Sequence, residues 1–516
     1  MPGAEFAREL SAARRAGSPG LLTRFGRFEL KPHQADAARL MLKRGPGYLL
    51  YFKVGSGKTL SAIAVAENLM ARGDIERVVA VMPSGLVANF KKEMRAARVD
   101  AARYWVDSFN SLPQLATGAG TRDGSASARA AKFAAFFRRN RTLLVVDEVQ
   151  NLRNTGKKWH AAAIELAGEC NKRLALSGTP IMNYPVDLVA ALNVIEAEYE
   201  PDAEINLFDN APNDGNNANP RRRVLSNEKL AEFANDRLRC RTLFYEPDAQ
   251  TVRANYPSWT AHAVSVEMTP QQTRAHFKAS RDVSNDVNVV HHFGKLKNGG
   301  IASGLVRFLH ALRRICNVAF TRDGTAHSSK IHALVINVVR ATTAGRKCLV
   351  YSFFRREGID LVARILQGYG IAFAKFTGSE SRQDKAEAVR AFNAGAVSVL
   401  LISRAGAEGL DLKNTGEVHI MEPGWNEEII NQVQGRAIRY GSHDGRVPRH
   451  VDVYKYYSTL PAGAANHVNS VAAVPERWRS ETADEYIRTL AARKATVSNE
   501  VLTLVASVAR ENALRC

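Results

Sequence analysis

The sequence has few of the features that would place it outside ordinary globular proteins. Its five cysteines form no CxxC pair and are odd in number, which excludes a disulfide framework and a standard zinc ribbon and favours a reducing setting. No apolar run approaches the roughly 18 residues of a membrane span. The N-terminus lacks the apolar core of a signal peptide, and Glu5 and Glu9 argue against a transit peptide. We therefore expect an intracellular protein without a membrane partner.

Acidic residues are fewer than basic residues. Lys and Arg number 71 against 51 for Asp and Glu, which gives a net charge of +20. Such an excess favours a polyanionic partner, most simply nucleic acid, although a solvated basic surface gives the same count. Hydrophobic residues at 45% and charged residues at 24% exclude a disordered or collagen-like chain. The length suggests three domains or two large ones.

Short apolar runs alternate with helical patterns in two separate series. Such runs are typical of parallel strands that helices cover on both faces. The first series comprises Tyr48–Phe52, Val78–Met82, Thr142–Val146 and Arg173–Ser177, and the second comprises Cys348–Ser352, Val397–Ile402, Val418–Met421 and Val451–Tyr457. The pattern predicts an α/β protein with two lobes, separated by an Asn/Asp/Pro/Gly-rich loop and a mostly helical stretch.

The strongest local signal is the run Lys53-Val54-Gly55-Ser56-Gly57-Lys58-Thr59, which lies between a predicted strand and a predicted helix. A strand, a glycine turn and a helix form the context of a phosphate-binding loop. Backbone N–H groups would approach phosphate oxygens there, Lys58 would reach the β- and γ-phosphates, and Thr59 would ligate Mg²⁺. Phe52 stands where the full pattern has its first glycine. The predicted phosphate-binding residues are Gly55, Ser56, Gly57, Lys58 and Thr59.

Two carboxylates, Asp147 and Glu148, follow the apolar run Thr142–Val146. Charges at the end of a buried strand are costly unless they pair or bind a metal, although a strand that reaches the surface could end in the same way. Downstream of a phosphate-binding loop, we interpret Asp147 as a Mg²⁺ ligand, directly or through water. Glu148 would polarise the attacking water.

A third candidate is a helix that begins near Asn426 as its N-cap. Gln432, Arg436 and Arg439 follow at spacings of four and three, which predicts one helix face for all of them. Arginines on one face can stabilise charge on a transferring γ-phosphoryl group. A solvated basic face would show the same spacing.

In their order along the chain, these motifs resemble a superfamily 2 helicase-type ATPase, and more narrowly the Swi/Snf family, from about Phe28 to Tyr457. Lys31-Pro32-His33-Gln34 resembles the family's opening motif, which makes Gln34 a candidate for reading adenine through its amide. The other first-lobe segments that match are Met82–Phe90, Asp147–Asn154, with Gln150 where His is usual, and Leu176–Asn183.

The second half continues the resemblance with Leu312–Asn317, Ser329–Ile331, Leu349–Phe353, Thr377–Ser379, Ala405–Leu412, Trp425-Asn426 and Gln432–Arg439. By this resemblance Gly409, Asp411 and Gln432 join the nucleotide-binding candidates. The segment Gly435–His443 is most similar to the Swi/Snf-like transcription ATPases of large DNA viruses, of the poxvirus nucleoside triphosphatase I and early transcription factor small subunit type.

The resemblance implies two RecA-like lobes with parallel sheets, a helical inter-lobe insertion and a helical C-terminal tail. The predicted divisions are an N-terminal segment at 1–27, an ATP-binding lobe at 28–245 with a loop at 201–223, a helical inter-lobe region at 246–325, a second lobe at 326–460 and the tail at 461–516. With these divisions we expect no bromodomain, chromodomain or nuclease module.

The resemblance also implies a mechanism. ATP and Mg²⁺ would bind between the lobes on Lys58, Thr59 and Asp147, Arg436 and Arg439 would complete the site, and lobe closure would drive movement along a nucleic-acid backbone. The candidate backbone contacts are Ser84, Asn89, Lys91, Lys92, Ser352, Thr377 and Ser403, with Lys157, Lys158 and Arg221–Arg223 as weaker ones.

The resulting hypothesis is a DNA-dependent ATPase that translocates on duplex DNA in viral transcription, in initiation or termination. RNA polymerase or other transcription proteins would be partners, and the virion or the host nucleus or cytoplasm would be the setting. One alternative is a strand-separating RNA or DNA helicase of the same superfamily. Another is a non-catalytic scaffold with an ATPase-like core, against which the intact Lys58, Asp147 and Glu148 argue.

Overall fold

The computed structural model describes residues 21–43, 45–120, 128–154, 156–182, 185–198, 232, 234–284, 299–406, 410–443, 445, 449–464 and 476–515. These residues form two compact units. The first holds the described residues up to 247 and those from 496, and the second holds those from 248 to 495. No described helix combines the length and the apolarity that a membrane span requires.

The first unit contains a six-stranded sheet in which all neighbouring strands are parallel. Its strands are β1 Gly47–Phe52, β2 Arg77–Met82, β3 Tyr104–Ser108, β4 Thr142–Asp147, β5 Lys172–Ser177 and β6 Thr242–Tyr245, in the spatial order β3-β2-β4-β5-β1-β6. Every residue of β1 and β4 is buried. Both strands therefore have the two covered faces expected of the centre of a parallel sheet.

Helices pack on both faces of this sheet. They are α1 Pro32–Lys43, α2 Lys58–Arg72, α3 Ser84–Ala97, α4 Leu112–Gly120, α5 Ala128–Phe136, α6 Lys158–Gly168 and α7 Val189–Glu196. Successive side chains of β4 enter opposite cores: Leu144 and Val146 join one apolar cluster, and Leu143 and Val145 join the other. This alternation is the period of two that a strand imposes.

The second unit repeats the plan with another six-stranded parallel sheet. Its strands are β7 Ser258–Glu267, β8 Lys347–Tyr351, β9 Phe373–Phe376, β10 Val399–Ile402, β11 Thr415–Ile420 and β12 His450–Thr459, in the order β9-β10-β8-β11-β12-β7. Its helices are α8 Ala249–Asn255, α9 Pro270–Ser284, α10 Gly299–Asn317, α11 Ser329–Thr343, α12 Asp360–Gly368, α13 Arg382–Ala394, α14 Glu427–Ala437 and α15 Glu476–Ser480. The last helix, α16 Ala483–Arg515, begins in this unit, and its residues from 496 belong to the first unit.

The fold class predicted from the sequence, an α/β protein with two parallel sheets and a helical C-terminal segment, is confirmed. All the predicted strands are present, with ends shifted by a few residues. The expectation that residues 246–325 are helical is wrong for Ser258–Glu267, because β7 lies there and pairs with β12 along its whole length. The helix α8 precedes this strand, α9 and α10 follow it, and the short strand Ala319–Phe320 lies after α10.

Three of the cysteines lie in the protein interior as free thiols. Cys170, Cys316 and Cys348 are buried and free, and burial raises the pKa of each thiol above its usual value. Cys240 is disulfide-bonded, a bond that the odd and widely spaced set of cysteines did not predict.

Candidate active site

Residues 53–57 form the turn that joins β1 to α2. Gly55 and Gly57 have φ angles of 86° and 81°, a region in which L side chains are strained. A Cβ on Gly57 would also lie 2.5 Å from Gln34 Nε2. Lys58 is the first residue of α2, so the turn leads directly into a helix N-terminus. This arrangement suits phosphate binding.

The side-chain amide of Gln34 stabilises the turn through hydrogen bonds. Its Nε2 donates to the carbonyl oxygens of Ser56 and Gly57, both at 3.4 Å, and its Oε1 accepts from Lys31 N–H at 2.9 Å. Both ends of the amide thus contact the protein, and the predicted reading of adenine by Gln34 stays a prediction. The carbonyl of Ser56 also lies 2.9 Å from His33 Nε2.

Sequence reasoning did not assign a role to His33 and did not identify Tyr245. The two rings stack with centroids 3.5 Å apart, and Tyr245 is the last residue of β6. The contact ties the opening motif and the phosphate-binding turn to the edge of the sheet. No local sequence signal could have found it, because more than 200 residues separate the partners.

Asp147, Ser177 and Phe52 end three adjacent parallel strands, β4, β5 and β1. The predicted acidic pair and the phosphate-binding turn therefore meet at one edge of the sheet. Lys58 Nζ lies 3.9 Å from Glu148 Oε1 and donates to Phe52 O at 3.4 Å. A Cβ on Gly178 would be 3.2 Å from Lys58 Nζ, so the small residue after β5 leaves room for the lysine.

The electrostatics of the acidic pair fit a divalent cation. Asp147 is only 4% exposed. Burial raises its pKa to about 7, with Glu148 adding to the rise and Lys58 opposing it. A bound cation would instead favour the charged carboxylate. Mg²⁺ prefers oxygen ligands, and Thr59 and Asp147 supply a hydroxyl and a carboxylate.

A short relay of hydrogen bonds runs from Glu148 to the segment Leu176–Asn183. Glu148 adopts a φ of 53°, and its N–H donates to Asp147 Oδ1 at 2.9 Å. Gln150 Nε2 donates to Glu148 Oε2 at 2.6 Å, and Ser177 Oγ donates to Gln150 Oε1 at 2.7 Å. Thr179 N–H in turn donates to Ser177 Oγ at 3.0 Å. Gln150 thus orients the carboxylate that we interpret as the water-polarising group.

In the second unit, α14 begins as predicted. The Asn426 side chain accepts from Ile429 N–H at 3.2 Å and caps the helix. Gln432 is buried and its Nε2 donates to Glu428 Oε1 at 3.4 Å. Arg436 Nε donates to the carbonyl of Gln432 at 2.9 Å. Gln432 and Arg436 therefore share one side of the helix.

Arg439 is not on this helix, which is a correction to the prediction. α14 ends at Ala437, so helical spacing does not position the second arginine. Arg439 instead donates to Leu410 O at 3.2 Å, and its guanidinium lies 3.6 Å from Asp411 Oδ1. The structure therefore joins Arg439 to Asp411, while Gly409 lies outside the described residues.

The candidate backbone contacts divide by exposure. Ser84, Lys91, Lys92, Lys157 and Lys158 are exposed, and Asn89 and Ser403 are half-buried. Ser352 and Thr377 are buried. Ser352 Oγ donates to Glu422 and Thr377 Oγ1 pairs with Ser379 Oγ, so both hydroxyls have partners within the protein. Arg221–Arg223 lie outside the described residues.

Glu422 is a buried carboxylate that sequence reasoning missed. It accepts hydrogen bonds from Ser352 Oγ, from Phe353 N–H and from Asn317 Nδ2. It thereby joins α10 and the end of β8 to the segment before α14. The signal was available, because Glu422 follows an apolar strand just as Asp147 ends one.

Comparison with known protein families decides the assignment. The model of the SNF2-related domain matches residues 33–320, and that of the helicase conserved C-terminal domain matches residues 329–441. The chain belongs to the SNF2 family. A SNF2 chain with both domains is a nucleic-acid-dependent ATP hydrolase of the helicase-like class, and this confirms the predicted family and enzyme class.

Several relatives of this SNF2 chain are viral. A protein of Acanthamoeba polyphaga mimivirus named as an ATP-dependent RNA helicase, L538, is 28% identical over 94% of this chain and 98% of its own length. The termination factor NPH-I homolog of African swine fever virus is 22% identical over 80% of this chain and 69% of its own. The Sulfolobus solfataricus SWI2/SNF2 ATPase core in complex with dsDNA matches 85% of this chain and 90% of that chain, at 18% identity and a TM-score of 0.36.

Proposed function

We propose that this SNF2 chain couples ATP hydrolysis to translocation on duplex DNA, and that it serves viral transcription. The observation that carries the proposal is the meeting of Lys58, Asp147 and Glu148 at one sheet edge, with 3.9 Å between Lys58 Nζ and Glu148 Oε1. A family scaffold without these groups could bind a partner but could not turn over ATP.

Each group has a distinct role in this proposal. Lys58 and the backbone N–H groups of the turn bind the phosphates. Thr59 and Asp147 hold Mg²⁺, which neutralises charge on the phosphate oxygens when bound. Glu148 orients the attacking water, and Gln150 fixes the direction of its carboxylate. Arg436 and Arg439 would stabilise charge that develops on the transferring phosphoryl group.

The charge of the chain and the names of its relatives support duplex DNA and transcription as the substrate and the setting. The net charge of +20 favours a polyanion. Relatives include a viral termination factor homolog and a mouse SWI/SNF-related regulator of chromatin, which is 24% identical over 58% of this chain. RNA polymerase or other transcription proteins would then be partners.

A strand-separating helicase is the second candidate. The observation that favours it is that two mimivirus relatives, L538 and R563, are named as ATP-dependent RNA helicases, and they match 94% and 84% of this chain.

The first experiment measures the ATPase rate side by side without nucleic acid and with single strands, duplex DNA and duplex RNA. Duplex DNA should stimulate the rate most. The Lys58→Ala variant should show no ATPase activity in any arm. Equal rates in all arms would contradict both candidate functions.

A second experiment separates the two candidates on one duplex. Displacement of a third strand from a triplex without unwinding of the duplex is the result expected of a translocase. Efficient separation of a blunt or forked duplex would favour the helicase. In the first experiment, stimulation of the ATPase by duplex RNA alone would exclude the DNA proposal.

A further inference from the structure

An apolar groove of about 400 Å³ lies between α11 and α12 of the second unit. One wall comes from α11 and the other from α12 and the residue after it. The side chains that line these two walls are mainly Val335, Ile336, Val339, Leu361, Ile365 and Tyr369. None of the residues assigned above to nucleotide or nucleic-acid binding lines the groove.

The groove lies at the surface rather than within the core. Ile336 is 53% exposed, Ile365 is 36% exposed and Tyr369 is 61% exposed. Single exposed apolar residues are ordinary, but a contiguous group around a concavity marks an interaction site. Phe320 is 54% exposed and is the antiparallel strand partner of Ala326, which also lines the groove. Phe320 therefore extends the apolar patch.

The periodicity of both walls suits a helical occupant. Leu361, Ile365 and Tyr369 recur every four residues, as do His332, Ile336 and Arg340 on the other wall. A groove between two such helices accepts apolar side chains that a third helix presents at i, i+4 and i+7. A nucleic-acid backbone would find few partners on these apolar walls, because its affinity comes from cations that contact phosphates.

The charge at the groove selects the kind of helix. Among the described lining residues, Arg340 is the side chain that carries a permanent positive charge, and no carboxylate is present. Arg340 is 58% exposed and lies 3.7 Å from Glu417, which offsets part of its charge. Arg364 is exposed on α12. Acidic side chains flanking the apolar face of an incoming helix would meet this surplus.

We propose that this groove docks an amphipathic, acidic α-helix of a protein partner. The site is separate from the ATPase machinery, so its loss would uncouple partner binding from ATP turnover. Failure of this proposal would leave the proposed translocase function untouched.

The test uses a fluorescent 16-residue helical peptide with Leu along one face and Glu on both flanks, titrated by anisotropy into the full chain. Two peptide controls carry the same residues in scrambled order or Lys in place of Glu. Ile336→Asp is the test variant. Val252→Asp is its matched control, because Val252 is an exposed apolar residue of α8 in the same unit.

We expect saturable binding of the acidic peptide, a Kd at least roughly tenfold weaker for Ile336→Asp, and a change below about twofold for Val252→Asp. DNA-stimulated ATPase should be the same in all three proteins. Absence of saturable binding, equal affinity for the scrambled peptide, or unchanged affinity of Ile336→Asp would overturn the proposal. A concentration-dependent dimer that Ile336→Asp dissociates would assign the groove to a second copy of this chain instead.

Discussion

At the scale of single residues, different side chains of the site bind the nucleotide and activate the attacking water. Lys58 supplies a point charge for the phosphates, so Lys58→Ala should abolish ATP binding or turnover. Glu148→Gln keeps the shape but does not polarise water, so it should bind ATP and fail to hydrolyse it. Fluorescent-nucleotide binding and phosphate release measure the two effects. Equal loss of ATP binding in both variants would contradict this division of roles.

Gln150 stands between Glu148 and Ser177, with hydrogen bonds of 2.6 and 2.7 Å. Gln150→Leu removes both bonds at similar size, and loss of such an orienting contact typically costs roughly 10- to 100-fold in activity. We expect that loss in kcat with the Kd for ATP nearly unchanged, and a smaller loss for Ser177→Ala. Stopped-flow binding and steady-state turnover distinguish the two parameters. A Gln150→Leu protein with wild-type kcat would remove the relay from the mechanism.

At the scale of secondary structure, the strands that sequence reasoning missed share one position. Within the two six-stranded sheets they are β3, β6, β7 and β9, and these are the edges of the two sheets. An edge strand has one neighbour and is partly exposed: β7 consists of exposed and half-buried residues, and β9 is half-buried throughout. Such strands lack the continuous apolar run by which central strands such as β4 are recognised.

The residues of the candidate site also fall into those that a local sequence pattern predicts and those that it does not. The turn at 53–59, Asp147 and the Asn426 cap were predictable, because each is a local pattern beside a strand or helix. The stacking of His33 on Tyr245 and the contact of Arg439 with Leu410 join distant parts of the chain. These contacts depend on sheet order, which no local pattern specifies.

Because α14 ends at Ala437, Arg436 on the helix and Arg439 beyond it are held by different contacts. Arg436→Ala and Arg439→Ala should each lower turnover far more than ATP affinity, since removal of an arginine that stabilises transferring phosphate costs roughly 10³–10⁵ in rate. Asp411→Ala should mimic Arg439→Ala more weakly, because only the orientation of Arg439 is lost. Single-turnover hydrolysis tests this. A loss below about tenfold for both arginine variants would place them outside the chemistry.

A buried ion pair fixes the start of α16 to α11. Lys330 Nζ and Asp484 Oδ2 are 2.6 Å apart with both side chains inaccessible to solvent. Lys330→Met leaves a buried carboxylate unpaired, which should cost about 3–5 kcal/mol in the free energy of unfolding. The double variant Lys330→Met/Asp484→Leu should recover much of that loss. Urea unfolding followed by the fluorescence of buried Trp478 measures both, and a double variant as unstable as the single one would contradict the pairing argument.

At the scale of the whole molecule, the charge of +20 predicts how nucleic acid is bound. Contacts to phosphates release counterions, so each neutralised phosphate contributes a slope of about −0.9 in log affinity against log salt. With about six such contacts, affinity for DNA should fall roughly 10³-fold between about 50 and 200 mM salt. Two duplexes of unrelated sequence should give the same curve, because phosphate contacts carry no base information. A strong preference for one sequence would contradict a backbone-tracking translocase.

Two of the predicted contacts to the DNA backbone, Lys91 and Lys92, lie on α3. Both are exposed, and as candidate backbone contacts each would neutralise one phosphate. Lys91→Ala and Lys92→Ala should therefore each reduce the steepness of the salt dependence by about 0.9 and weaken binding equally on every sequence. Lys43→Ala is the matched control, since Lys43 is an exposed lysine at the end of α1 for which no nucleic-acid contact is predicted. Titration of labelled duplex DNA over a salt series gives the slopes. Slopes that fall equally in all three variants would show that general charge, rather than contact by α3, holds the backbone.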